Sequence, residues 1–244
     1  MPVTSDAPRL TDLLLGRVRL PEESFLDHLP DETWEVMVKD WDQRVRSYER
    51  DALLPLGEAD RQVFIIVQGC VRQDRYPLGE AADAPTITRF RGIGQLVGEA
   101  KLIDPTATVT TRCLSKTYAI PWRARYMAAL QNERPEVRLA LLRSIEDRHR
   151  RDERIYATFA RPTFQRVSAL LAHLAETAGV PDPTLSRRTV INGPTQKDLA
   201  AALQLGVSTV ENAIRTLRYH GVVEAGYRKF TVHDLDALHR SAGV

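Results

Sequence analysis

At 244 residues the chain can bury one large core or two small ones, and 43% hydrophobic with 27% charged residues is the balance of an ordinary globular protein. No apolar run approaches the roughly 18 residues of a membrane-spanning helix, and "MPVTSDAPRLTDLLLGRVRL" lacks the basic head of a secretory leader, so a cytoplasmic setting is expected. Two cysteines, Cys70 and Cys113, cannot make a disulfide framework, neither has a metal-binding partner at zinc spacing, and a net charge of +2 singles out no partner.

The first patterned segment, Asp31–Trp41, reads as a short amphipathic helix with Trp34, Val36, Val38 and Trp41 as packing candidates. From about Arg44 to Ile120 the signals are of β type. "VFIIVQGCVRQ" at Val63–Gln73 is rich in β-branched residues, "TITRF" at Thr86–Phe90 alternates, and turn clusters such as "PLGEAADAP" intervene, which predicts a small barrel or sandwich. Both cysteines fall in predicted strands and are read as buried thiols.

Within this region "RGIGQLVGEAKLIDPTATV", Arg91–Val109, carries glycines at 92, 94 and 98 followed by Glu99. A dinucleotide-binding turn needs a full helix and a closing parallel strand after it. Pro105 allows barely two helical turns, and "TATVTTRCLSKTYAI" returns to strand, so the segment reads as a turn, one short helix and more β-structure.

The texture changes at Pro135, which suits the first turn of a helix. Val137, Leu141, Leu142, Ile145, His149, Arg148 or Asp152, Ile155 and Phe159 follow at spacings of three and four until Pro162, which predicts about 25 helical residues. The apolar seam is narrow and its flanks carry both charge signs, which suits a helix that pairs with another helix; a solvated linker helix is the plainer alternative. "FQRVSALLAHLAETAG" at Phe164–Gly179 is another amphipathic helix with a glycine stop, and a short strand is expected at Thr189–Ile191.

In "PTQKDLAAALQLGVSTVENAIRTLRYHGVVEAGYRKFTV", Thr195 is placed to cap a helix over Gln196–Leu203, "QLG" to turn the chain, and Val207 or Ser208 to open a second helix reaching about Tyr219. Leu199, Leu203, Val210, Ile214 and Leu217 would meet, with Ala200 and Ala213 allowing close approach. This is the helix-turn-helix pattern, and it leaves Ser208, Glu211, Asn212, Arg215 and Arg218 outside. "VVEA" and "KFTV" around "GYR" resemble a wing, with Tyr227, Arg228 and Lys229 at its tip for phosphates. A generic helical hairpin predicts neither the wing nor this spacing.

A β-domain, one long helix and a winged helix, in that order, resemble the Crp/Fnr family of bacterial transcription regulators over nearly the whole chain. "FLDHLPDETWEVMV" is similar to the family's entry helix, "VGEAKLIDPTATV" to its phosphate-binding cassette, and "GVSTVENAIRTL" to its recognition helix. The resemblance implies an α+β protein: an N-terminal antiparallel, jelly-roll β-barrel of cyclic-nucleotide-binding type over residues 1–132, a long dimerisation helix over 133–161, and a winged helix-turn-helix over 162–244. It implies DNA contacts from Thr195, Gln196, Val207, Ser208, Thr209, Glu211, Asn212, Arg215, Arg218, Arg228 and Lys229, and a dimer seam of Leu141, Leu142, Ile145, His149 and Ile155.

The cassette departs from the family pattern. Gly98, Glu99 and Ala107 match, but Thr106 stands where the arginine that pairs with a cyclic phosphate is expected, and the preceding loop is short. The purine contact from the long helix falls near Asp152 and Glu153, two acids that would repel an anionic ligand. Gly98, Glu99, Thr106, Ala107, Asp152 and Glu153 therefore read as a degenerate effector pocket. In the recognition helix, Val207, Ser208 and Asn212 replace the family's Arg, Glu and Arg, so the operator should differ from the common half-site. The expected protein is a non-enzymatic homodimer on a palindromic site in double-stranded DNA, without metal or cofactor, not gated by cyclic AMP and not membrane-bound. RNA polymerase and an unidentified small effector are further partners the family implies, and a cyclic-nucleotide or other small-ligand receptor, whose barrel binds an unidentified effector and controls DNA binding, is the alternative.

Overall fold

Five consecutive apolar residues, Val63–Val67, leave a strand no face for water, and the chain folds accordingly. The computed structural model describes residues 20–38, 44–56, 61–76, 87–104, 109–182, 185 and 187–243, with the side chains of 35–38 and 101 left aside. Its contacts divide the chain into two units, Met1–Gln73 with Arg91–Arg148, and Asp74–Phe90 with His149–Val244.

In the first unit, strand β2 (Gln62–Gln68) buries all five of those residues, pairing with β5 (Leu96–Val97) on one side and β7 (Thr117–Arg123) on the other, and β1 (Arg46–Tyr48) extends the sheet beyond β7. Alternation sends Val63, Ile65 and Val67 into one apolar cluster with Leu96, Ile120 and Trp122, while Phe64 and Ile66 enter another with Leu54, Leu56, Val97 and Ala119. The entry segment covers the first cluster with Phe25, Leu26, Leu29 and Trp34, and the Trp34 indole donates to the Leu26 carbonyl at 3.1 Å just ahead of helix α1 (Asp31–Val38). The side chains of Val36 and Val38, and Trp41 entirely, lie outside the described residues.

Strands β4 (Ile87–Arg91), β3 (Val71–Arg75) and β6 (Val109–Cys113) pair in that order as a separate sheet. The class is as expected, but among the described residues the strands form two sheets and no closed barrel. Strand β5 is two residues long because Gly98, at φ +86°, turns the chain out of the ladder. The short helix α2 (Ala100–Ile103) follows. Cys70 and Cys113 are buried free thiols, and burial pushes the Cys113 thiol pKa up.

Helix α3 (Ala124–Glu133) leads into α4, which runs from Pro135 to Ala157. The inner stripe of α4 is Val137, Ala140, Leu141, Ser144 and Arg148, spaced as one helical face. Its first three members close the same cluster that holds Val63 and Ile120.

The second unit is built on α5 (Thr163–Ala178), buried along most of its length, with β8 (Gly179–Pro181) after it. Strand β9 (Thr189–Asn192) joins β8 to β11 (Lys229–Val232), and β10 (Val223–Gly226) completes an antiparallel sheet ordered β10–β11–β9–β8. Helices α6 (Gln196–Leu203) and α7 (Val207–Tyr219) lie between β9 and β10 in the chain, and α8 (Leu235–Ala242) buries Leu238 and Ala242. The side chain of Asp234 caps α8, accepting from the Ala237 amide at 2.9 Å.

Candidate nucleic-acid interface

The start of α6 is fixed by a reciprocal cap: the Asp198 amide donates to Thr195 Oγ1 at 3.2 Å and the Thr195 amide to Asp198 Oδ2 at 2.8 Å. Its end is fixed by Gln204 in the left-handed region, φ +52°, after which the Leu205 amide donates back to the Ala200 carbonyl at 2.9 Å. After this tight turn α7 begins at Val207. Leu199, Ala200 and Leu203 on α6 and Val210, Ala213, Ile214 and Leu217 on α7 are buried. That spacing leaves Val207, Ser208, Glu211, Asn212, Arg215 and Arg218 exposed on the other side of α7, with Thr209 and Gln196 half-buried. Arg215 Nη1 donates to Asn212 Oδ1 at 3.2 Å, so the two groups best suited to base edges are already coupled along the helix.

The β10–β11 hairpin turns through Tyr227 and Arg228, with Gly226 paired to Lys229. Arg228 adopts φ +52°, and its guanidinium carbon lies 6.0 Å from the Tyr227 ring centre. Lys229 and Tyr227 are exposed, whereas Arg228 is half-buried and its Nε is shielded from solvent. The tip therefore presents an ammonium and a phenol ahead of the guanidinium. Tyr219, 87% exposed at the end of α7, is a further surface aromatic that the spacing argument passed over.

In the first unit, the glycine turn is shaped by packing. A Cβ on Gly98 would stand 2.9 Å from the Gln62 carbonyl oxygen and from Leu56 Cδ2. Glu99, next in the chain, pairs with Arg148 of α4 at 3.1 Å, and the same guanidinium donates to the Leu96 carbonyl at 3.0 Å and, through Nε, to the Ser144 carbonyl at 3.2 Å. The α4 residues facing the turn are thus Ser144 and Arg148. Of the two acids expected there, Asp152 pairs with Arg89 at 2.7 Å, and Glu153 is exposed with His149 3.2 Å away. The helical phase set by Val137 and Leu141 continues to Ser144 and Arg148, which is the signal that finds them. Thr106 and Ala107 lie outside the described residues.

Along α4 the expected seam divides. Leu141 is buried in the core of its own chain, Ile145 packs partly on the same core, and Ile155 is half-buried. Leu139 and Leu142, 46% and 57% exposed, and His149 occupy the outer side.

A Crp-like helix-turn-helix domain is matched by residues 165–241. No curated protein sequence matches the chain. Among solved structures, TTHB099, a CRP-family transcriptional regulator from Thermus thermophilus, is 22% identical over 82% of this chain and 97% of its own, with a TM-score of 0.63. FixK2 from Bradyrhizobium japonicum is 17% identical over 80% and 95%, TM-score 0.61. A putative cyclic nucleotide binding protein from Ruegeria pomeroyi is 17% identical over 92% and 96%, TM-score 0.62. Residues 165–241 therefore form a Crp-like helix-turn-helix domain, and the chain as a whole shares the fold of these Crp/Fnr-type structures.

Proposed function

We propose that the chain is a homodimeric, sequence-specific DNA-binding regulator that reads a palindromic operator through α7 and contacts phosphates through the wing. The observation that carries this reading is the division of α7 into a buried apolar side and an exposed side bearing Ser208, Glu211, Asn212, Arg215 and Arg218. That polarity is what a helix needs to enter the major groove while its scaffold stays packed. Thr195 acts mainly as the cap that aims α6, and Lys229 as the leading phosphate contact of the wing. Dimerisation uses the outer side of α4 at Leu139, Leu142 and His149, where a twofold axis would set half-site centres about 34 Å apart. Selection of bound sequences from a random DNA pool tests this. A twofold-symmetric consensus is expected, and recovery of unselected sequence would remove the claim of specific reading.

Cyclic AMP does not gate this regulator. The carboxylate of Glu99, a matching residue of the cassette, is held by Arg148, and Thr106 stands where the cassette arginine is expected. A different effector, as the second reading, is favoured by buried polar groups of the same unit: Gln95 Oε1 and Nε2, Ser144 Oγ and Glu99 Oε2 are buried without a hydrogen-bond partner among the described residues. Calorimetry with 1 mM cyclic AMP should give no binding isotherm. A micromolar dissociation constant would overturn the assignment of Arg148 as a built-in occupant of the turn.

A further inference from the structure

The second unit contains a half-open cavity of about 110 Å³, separate from the glycine turn and lined by β4, the last turns of α4, α5 and the C-terminal end of α6. Its walls are largely apolar, with Ile87, Phe90, and Tyr156 stacked on Phe159 at a ring separation of 4.9 Å. Arg89 and Asp152 also line it, joined at 2.7 Å, so two opposite charges meet on one wall.

We propose that this cavity binds an uncharged, single-ring aromatic molecule carrying one hydrogen-bonding group, a phenol in chemical class. Size sets the ring count: an apolar protein cavity of about 150 Å³ takes up benzene, so about 110 Å³ with an open side suits one ring and is too small for a nucleotide. Shape sets the aromatic character, since the Tyr156–Phe159 pair and Phe90 offer ring faces and edges. The ion pair sets the charge. An anion attracted by Arg89 is repelled by Asp152 at almost the same range and loses its hydration in an apolar space, whereas a hydroxyl can both donate to the carboxylate and accept from the guanidinium. Gln204, the residue that ends α6, is on the cavity wall, so the ligand would touch the helix-turn-helix itself.

The test is fluorine-observed NMR titration of the full chain with 4-fluorophenol and with 4-fluorobenzoate, at pH 8, above the ordinary histidine range, because His173 is also on the wall. No DNA is present, so the outcome is independent of the operator reading. Saturable binding of the phenol, at least tenfold tighter than the benzoate, is expected. Ile87→Trp, at a position 37% exposed on β4, should fill the cavity and abolish phenol binding while leaving the far-UV spectrum unchanged. Asp152→Asn removes the carboxylate charge from beside Arg89 and should tighten benzoate binding at least tenfold. Absence of saturable phenol binding, a phenol signal indifferent to Ile87→Trp, or equal affinity for the two probes would each overturn the proposal.

Discussion

Arg148 is a charge taken out of water, 5% exposed, and Glu99 answers it at 3.1 Å. Removing one member of such a pair leaves the other buried and uncompensated, so Arg148→Met should cost about 3–5 kcal/mol in urea unfolding. The double variant Arg148→Met with Glu99→Gln should recover most of that loss; a double variant as unstable as the single would show that the guanidinium stabilises through its carbonyl contacts instead. Asn212 and Lys229 differ in a comparable way at the proposed DNA surface. Asn212→Ala should cost about 1–3 kcal/mol on the selected operator and relax one base preference per half-site, whereas Lys229→Ala should weaken all sequences alike and reduce the salt slope by about one. The Arg215–Asn212 bond adds a condition. Removing Arg215 releases the amide oxygen, so Arg215→Ala should alter the base preferred at the Asn212 position as well as its own.

The helices of the helix-turn-helix were legible because their signals are local. A capping Thr195, the turn "QLG" and apolar residues at three and four mark both ends of α6 and the inner side of α7 within one short window of sequence, where the structure adds the Asp198 half of the cap and the left-handed Gln204. Strands β8 and β9 are only three and four residues long, and β9 gains its order from pairing with β8 and with the distant β11, so Thr189–Ile191 alone gave any sign of them. The Arg148–Glu99 pair joins positions far apart in sequence, and no local pattern marks it; only the phase of α4 does. The same phase bears on the expected α4 seam. Its apolar residues divide between two surfaces, the inner ones packing on the β-sheet core while Leu139 and Leu142 face the proposed partner. Leu139→Lys with Leu142→Lys leaves the core untouched, and should give monomers in sedimentation velocity and operator binding at least tenfold weaker. A dimer that persists would move the interface elsewhere.

At the scale of the whole molecule, one strand carries an unusual share of the first unit. Strand β2 supplies Val63, Ile65 and Val67 to one apolar cluster and Phe64 and Ile66 to the other, so the two clusters share a backbone and neither can open without disturbing its neighbour. Folding therefore conceals a segment that is hazardous when bare. Five successive apolar residues, all but Phe64 of them β-branched, with no charge and no proline, have the composition that stacks into intermolecular sheets, and the nearest charges are Asp60 and Arg61 before the run and Arg72 after it. Heating should end in precipitation rather than a reversible transition, with a midpoint that rises with scan rate. Replacing Ile65 by Thr would lower the native stability yet slow the loss of soluble protein once unfolding has begun, because the same strand that holds the native core together is the one through which unfolded copies would find each other.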